Sequence, residues 1–536
     1  MNEPESPAKG FTDLIVLLAL GVGALACVLV VVPYRTFDLD RFFVPKELAL
    51  HITALVAGTA AIAGTRRVSP RGADAALIAW LLFSAMSAVF ATNHALAVRA
   101  LTVSLSGAAV YWSARRVAAA GLGPVLARML AIAVVIGAVT ALAQAYGVRM
   151  EFAALNRAPG GLFGNRNFMA HLTAAGVPLL LWCIASTRRR AGSIFWTASL
   201  GACAAALVLS RTRAAWLALA VSAVIAGAIA IAGPPLTEDG DARRRLRRAA
   251  VAIAAGVVLA IALPNTLDWR SDSPYLDSVK GVVDYHDGSG RGRLAQYATS
   301  AKMGLQHPLF GTGPGNWAVI YPKYAPPSDP SISDATGMTA NPWPSSDWIA
   351  ALSERGSDSF IALAMFVVLL LGGAVKTRYA EDRSPHERLA ALAGGGVLLI
   401  AVMAGLFDAV LLLPTPLLVV SAAAGALIPA GAVHREYSPS MLRRLTYGAV
   451  FAAVTVLACL LGDRRLEAMR LSEAGTGAAM EAAAAKDPGS FRVQMRAADL
   501  FLSRNECTKA RPHALAARAL FPYSPGPRHV LSRCKG

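Results

Sequence analysis

The feature that most constrains this chain is a regular alternation of long apolar runs with short basic clusters, sustained from end to end. A helical crossing of a bilayer core needs roughly 20 predominantly apolar residues. Runs of that kind cover residues 12–32, 46–64, 74–92, 97–114, 125–146, 168–186, 194–210, 214–232, 249–264, 357–375, 387–407, 411–430 and 446–462, thirteen in all. With the N-terminus taken as cytoplasmic, the inside loops carry Arg66, Arg67 and Arg71; Arg115, Arg116 and Arg128; and Arg188, Arg189 and Arg190. Further along come Arg243, Arg244, Arg245, Arg247 and Arg248; Lys376, Arg378, Arg383 and Arg388; then Arg435, Arg443 and Arg444. Every cluster falls on an alternate loop, as the positive-inside rule requires. The run from Leu14 to Val32 is too long and too weakly basic upstream for a typical cleaved signal, so it reads as the first span.

An odd number of spans puts residues 463–536 outside, together with the single long internal loop, 265–356. The expected fold class is therefore an all-α polytopic membrane protein with about 13 transmembrane helices. Its parts are spans 1 to 9 in 1–264, the large outer loop in 265–356, spans 10 to 13 in 357–462, and a small helical tail in 463–536. Composition agrees: 55% of the residues are hydrophobic and 16% charged, whereas soluble domains usually carry about 25% charged residues. The net charge of +18 is spread over the loops and accompanies no nucleic-acid-binding motif, so nucleic acid is not expected as a partner.

In the tail, Asp487-Pro488 and Phe521-Pro522 bracket a 34-residue interval with Ala497, Ala498, Ala510, Ala516 and Ala517 at helical spacing. That period resembles a tetratricopeptide unit, a helical hairpin that stacks on neighbours. A plain helical tail with a chance proline period is the alternative. Cys27, Cys183, Cys203 and Cys459 lie inside apolar runs and read as packing residues. Cys507 and Cys534 lie in the tail; if it is outside, a disulfide between them is chemically allowed.

Three local patterns carry chemistry. The outer loop contains Gly290-Arg291-Gly292-Arg293, then Tyr297, then the string from His307-Pro308 through Gly311, Gly313, Gly315 and Asn316 to Trp317. Residues 160–167 read Gly-Gly-Leu-Phe-Gly-Asn-Arg-Asn, just outside the sixth span, and residues 210–216 read Ser-Arg-Thr-Arg-Ala-Ala-Trp at the outer end of another. Together these patterns resemble the O-antigen ligase and polymerase family. The resemblance implies a bacterial inner-membrane glycosyltransferase with a periplasmic C-terminus. Its donor would be a glycan on undecaprenyl diphosphate, and its acceptor a lipid A-core sugar or another glycan. It implies no cofactor, and no metal cluster, P-loop or nucleophile elbow stands in the sequence.

Arginine suits such a reaction, because its permanently charged planar fork grips phosphate oxygens and stabilises their departure. Arg293 and Arg211 match motif positions and are the leading catalytic candidates. Arg213, Arg166, Asn165, Asn167, Lys46 and Glu354 are candidate substrate contacts, and the bland reading of each outer cation is a side chain snorkelling to headgroups. Arg35, Arg41 and Arg99 fit the bland reading at least as well, and His307 reads as structural.

The chain departs from the family at one place. Where the family has a histidine that would serve as base, this chain has Ser345, although Glu354 and Gly356 keep their places. Asp347 is the nearest carboxylate, readable as a general base or as a cap for the helix beginning near Trp348. Polymerase and protein-glycosylating activities stay open beside ligation, and the tail is a candidate site for a protein partner. A non-catalytic scaffold for glycan assembly is the reading from another class; the lost histidine favours it and the retained arginines oppose it. A transporter is weakest, because no two-half repeat is visible.

Overall fold

The computed structural model describes residues 10–534 apart from 38, 66–67, 149–158, 237–239, 270, 282–287, 327, 334–336 and 430–435. Arg66, Arg67 and Arg435 of the basic clusters lie outside the described residues. The first nine helices are α1 (Phe11–Leu29), α2 (Asp40–Gly64), α3 (Gly72–Val89), α4 (His94–Ala119), α5 (Gly123–Ala145), α6 (Arg166–Ser186), α7 (Arg190–Ser210), α8 (Arg213–Ala232) and α9 (Gly240–Ala262). The long loop contributes α10 (Pro274–Lys280), α11 (Gly288–Gln306) and α12 (Trp317–Ile320). Then follow α13 (Asp347–Tyr379), α14 (Pro385–Ala404), α15 (Pro414–Leu427) and α16 (Met441–Glu473). The tail holds α17 (Gly477–Lys486), α18 (Phe491–Ser503), α19 (Cys507–Leu520) and α20 (Pro525–Arg533). No β-strand occurs among the described residues, which show two isolated bridges.

Eleven of these helices are long and apolar enough to cross a membrane. The two other expected spans exist as helices with a different build. The ninth lies in α9, whose first turns hold the basic run Arg243–Arg248, and the twelfth is α15, only 14 residues long. Leu82, Val224, Val258, Val368 and Val450 point outward and are exposed. Such a surface invites aggregation in water and is ordinary against lipid. This is a multi-pass membrane protein.

The basic loops gather at one end of the bundle. Arg116 pairs with Asp13 at 2.7 Å, Arg115 pairs with Asp74, and Val68 bridges Tyr437. The motif-bearing loops and the tail gather at the other end. There Thr266 donates to the carbonyl of Ala145, Asn93 and Asn316 exchange hydrogen bonds, and Arg492 pairs with Asp40 at 3.0 Å. Loop charge thus predicts which loops share an end.

The tail has its own small core of Met480, Ala497, Phe501, Ala510 and Val530. Cys507 opens α19, Cys534 caps α20, and a disulfide joins them across 5.3 Å between Cα atoms. The tail also rests on the bundle, where Phe521 packs with Trp317 and Tyr321 from the long loop.

Candidate functional site

The glycine string of the long loop is a splice. Helix α13 breaks at Gly356, with φ of 84° and ψ of 175°, a region essentially reserved for glycine. A Cβ there would lie 2.0 Å from the carbonyl oxygen of Leu309. Into this break the loop inserts: Thr312 and Gly313 donate their N–H groups to the carbonyls of Ser353 and Glu354, and Ser357 donates to that of Pro308. The buried Glu354 carboxylate accepts the N–H groups of Gly315 and Trp317 at 2.9 and 3.0 Å. Glu354 and Gly356 therefore serve the fold of the loop, and Glu354 leaves the set of substrate contacts. Lys46 leaves it too. Its buried ammonium donates to the carbonyls of Cys27, Val28 and Val30 at the C-terminal end of α1, where the Thr415 hydroxyl also donates to Cys27.

Arg293 and Tyr297 are four apart on α11 and so share one face. Tyr297 donates to the carbonyls of Ser345 and Leu406, 2.8 and 2.6 Å away, which fixes the helix against two loops. Arg293 then reaches Asp408, 4.0 Å from its carboxylate.

The segment 210–216 is a hinge between α7 and α8. Ser210 and Trp216 both donate to the carbonyl of Leu207, and Arg211 takes a left-handed conformation with φ of 53°. This turn aims Arg211 and Arg213 at the long loop. Arg211 donates to Ser278 at 2.8 Å and lies over the Trp269 ring, and Arg213 donates to the carbonyl of Gly281. Burial holds Arg211 below the usual arginine range; the charge of Asp277 and the phenol of Tyr275 oppose that shift, and Arg213 adds to it.

At the start of α6, Asn165 is the N-cap and accepts the N–H of Asn167, which makes it a local structural residue. Asn167 ties α6 to two other elements. Its amide donates to Asp408 at 2.9 Å and its oxygen accepts from Thr212 at 3.2 Å. Arg166 lies close enough to Arg211, Arg213 and Arg293 for their charges to act on one another. Arg166 thus shares its surroundings with three other guanidinium groups.

Two residues of this site escape sequence reasoning. Asp408, in the loop between α14 and α15, sits against His171 of α6, with Oδ2 3.3 Å from Nε2. Burial would raise the Asp408 pKa; the hydrogen bond and charge of His171, the charge of Arg293 and the N–H of Ala409 outweigh it and hold the carboxyl below its usual range.

Asp347 does not cap its own helix, and its carboxylate is engaged by a neighbouring loop. Ser346 is the N-cap, accepting from Ile349. The Asp347 carboxylate accepts N–H groups from Val410, Leu411 and Leu412 at 3.0, 2.8 and 3.2 Å. It shapes the loop that carries Asp408.

Residues 198–357 match the family model described as O-Antigen ligase (Wzy_C). The chain carries an O-antigen ligase domain. No curated protein matches the chain. The O-antigen ligase match begins inside α7 and ends at the break in α13, so it takes in Arg211, Arg213, Arg293 and the glycine splice. Asn167, His171 and Asp408 lie outside it and reach the O-antigen ligase domain through space. The family points to ligase or glycosyltransferase-like activity on lipid-linked glycans.

Proposed function

We propose that this protein is a membrane glycosyltransferase of O-antigen ligase type. It takes a glycan from undecaprenyl diphosphate and delivers it to a hydroxyl of a lipid A-core sugar at the periplasmic face of the bacterial inner membrane. The observation that carries this reading is the grouping of Arg211, Arg213 and Arg293 around Arg166, with Arg293 also reaching the Asp408 carboxylate that His171 and Asn167 hold. Such an excess of fixed positive charge is preorganised for a diphosphate.

In the transfer, the acceptor oxygen forms a bond to the anomeric carbon of the donor sugar while the bond from that carbon to the phosphate oxygen breaks. The diphosphate leaves with the bonding electron pair, and the arginines stabilise the charge that it gains. Asp408 accepts the hydrogen bond of the attacking hydroxyl and receives its proton late, when bond formation has made that hydroxyl acidic. His171 and Asn167 fix the carboxylate. This assignment supplies a proton acceptor although Ser345 stands at the family's histidine position.

The same reading places thirteen crossings in the membrane, with α9 and α15 among them, and the tail in the periplasm. The disulfide of the tail favours that compartment. The tail's packed helices serve there as a tetratricopeptide-like platform for a protein partner.

Deleting the gene and complementing it with the wild type or Arg293→Ala tests the proposal. Loss of polymer from the lipid A-core, restored by the wild type alone, is the expected result. Single repeat units left on the core would assign a polymerase instead, and complementation by Arg293→Ala would favour a scaffold. Unchanged lipopolysaccharide after deletion would overturn ligation.

A further inference from the structure

A cavity of about 490 Å³ is lined by Asp347, Leu411 and Leu412 of the Asp408-bearing region and by none of the four clustered arginines. That is within the usual range of small-molecule sites, roughly 300–1,000 Å³. Its inner part is apolar, walled by Val103, Phe366, Leu370, Leu398, Leu417 and Val420. Its mouth lies at the motif end, where Arg99 and Glu47 line it beside Phe491, Arg492 and Phe521 of the tail.

The charges of the wall do not all find partners. Glu47 pairs with Arg99 and Asp40 with Arg492. Asp347 and Glu354 are occupied by backbone N–H groups. Arg355 remains. It is 4% exposed, donates to the hydroxyls of Ser84 and Ser104, and lies over the Trp80 ring at 4.9 Å. Glu354 acts on it through space without forming an ion pair. Trp80 shares the wall, and its buried indole N–H has no acceptor among the described residues. A buried guanidinium without a carboxylate is costly, and an orphan donor beside it points to the same missing acceptor.

We infer that this cavity binds an amphiphile with an anionic head and an apolar chain. The head meets Arg355 and the Trp80 N–H, and the chain fills the apolar inner part. Two sources have this chemistry, a membrane phospholipid and a polyprenyl phosphate. The site is separate from the diphosphate cluster, and its existence does not rest on the transfer reaction.

The test uses the purified full-length protein in detergent and native mass spectrometry, with phosphatidylglycerol, undecaprenyl monophosphate and phosphatidylcholine as separate probes. The expected result is retention of one anionic probe, weakened about ten-fold or more by Arg355→Gln and partly restored by Arg355→Lys. Which of the two anionic probes is retained identifies the source. Each probe is also measured on Arg293→Gln, because the diphosphate cluster can hold a polyprenyl phosphate too. Retention that survives Arg293→Gln and is lost in Arg355→Gln belongs to this cavity, which keeps failure of the transfer reading and failure of this one distinguishable. Because Arg355→Gln risks misfolding, Ala108→Phe, which fills the cavity and keeps the arginine, is measured beside it and should also abolish retention. Equal retention by the wild type and both variants, or no preference for the anionic probes over phosphatidylcholine, would overturn the inference.

Discussion

His171 Nε2 lies 3.3 Å from Asp408 Oδ2, joining two residues 237 positions apart in the chain. Arg293 approaches the same carboxylate oxygen from a third element. The carboxylate is therefore held ionised and oriented where motif arginines meet. Asp408→Asn should lower transfer by roughly 100-fold or more, the scale of general-base catalysis, with expression and insertion intact. His171→Gln, which keeps a donor, should lose less. Equal activity of Asp408→Asn and wild type in a donor-consumption assay would remove Asp408 from the mechanism.

The pH dependence follows in sign from the lowered pKa of Asp408. Its ion pairing stabilises the fold above the unfolded carboxyl value of about 3.9, and that contribution disappears as pH falls through the lower folded value. Transfer should thus show no carboxylate titration above about pH 5. A pH–rate profile with an acidic limb centred near neutrality would assign the proton acceptor elsewhere.

Arg293→Ala and Arg211→Ala should each reduce transfer by roughly 100- to 1000-fold, as loss of an oriented donor to developing charge does. Lysine at either place should rescue only in part, because a point charge lacks the bidentate fork. Arg211 also holds the loop through Ser278 and Trp269. Ser278→Ala separates the two roles: it removes the anchor while keeping the charge, and should cost less than ten-fold, about 1 kcal/mol.

Much of this architecture is legible in the sequence, because the signals involved are local. Alternating arginine clusters report which loops share an end, and the Gly-rich string with Gly356 reports a backbone that side chains would block. The chemistry of the site is less legible. Asp408 and His171 carry no spacing signal, since their partnership exists only once α6 packs beside the α14–α15 loop. Lys46 and Glu354 mislead for the converse reason: a buried charge serving backbone ends looks the same in sequence as one serving a substrate. A carboxylate just ahead of an apolar run could equally have been a cap, as Asp347 shows, and only its contacts with Val410, Leu411 and Leu412 reveal the loop that it holds.

The Cys507–Cys534 bridge closes a loop of sequence separation 27. On the chain-entropy model a loop of that size contributes about 3–4 kcal/mol. Cys507→Ser with Cys534→Ser should lower the denaturation midpoint of the tail and leave the bundle in place. Alkylation without reductant on cells with a permeabilised outer membrane should label neither cysteine in the wild type. Labelling of both would show the thiols to be free.

The last prediction separates a positioning residue from a base at Asp347. Its Oδ1 accepts from Val410 and Leu412, and its Oδ2 accepts from Leu411. Asparagine preserves one oxygen but sets an NH₂ group against the Leu411 N–H, leaving a buried donor unmatched at a cost of about 1–3 kcal/mol. The loop should loosen and Asp408 should lose its register, so Asp347→Asn should slow transfer by roughly ten-fold. A displaced Asp408 loses part of the contact with His171 and Arg293 that holds its pKa low, so any acidic limb of the remaining activity should move up toward the ordinary carboxylate range and stay well below neutrality. Asp347→Ala, which frees all three N–H groups, should be more severe in both stability and rate. If instead Asp347 took the proton itself, Asp347→Asn would abolish the pH dependence and cost 100-fold or more, the usual scale of general-base catalysis. Measuring pH–rate profiles for wild type, Asp347→Asn and Asp408→Asn side by side decides between them.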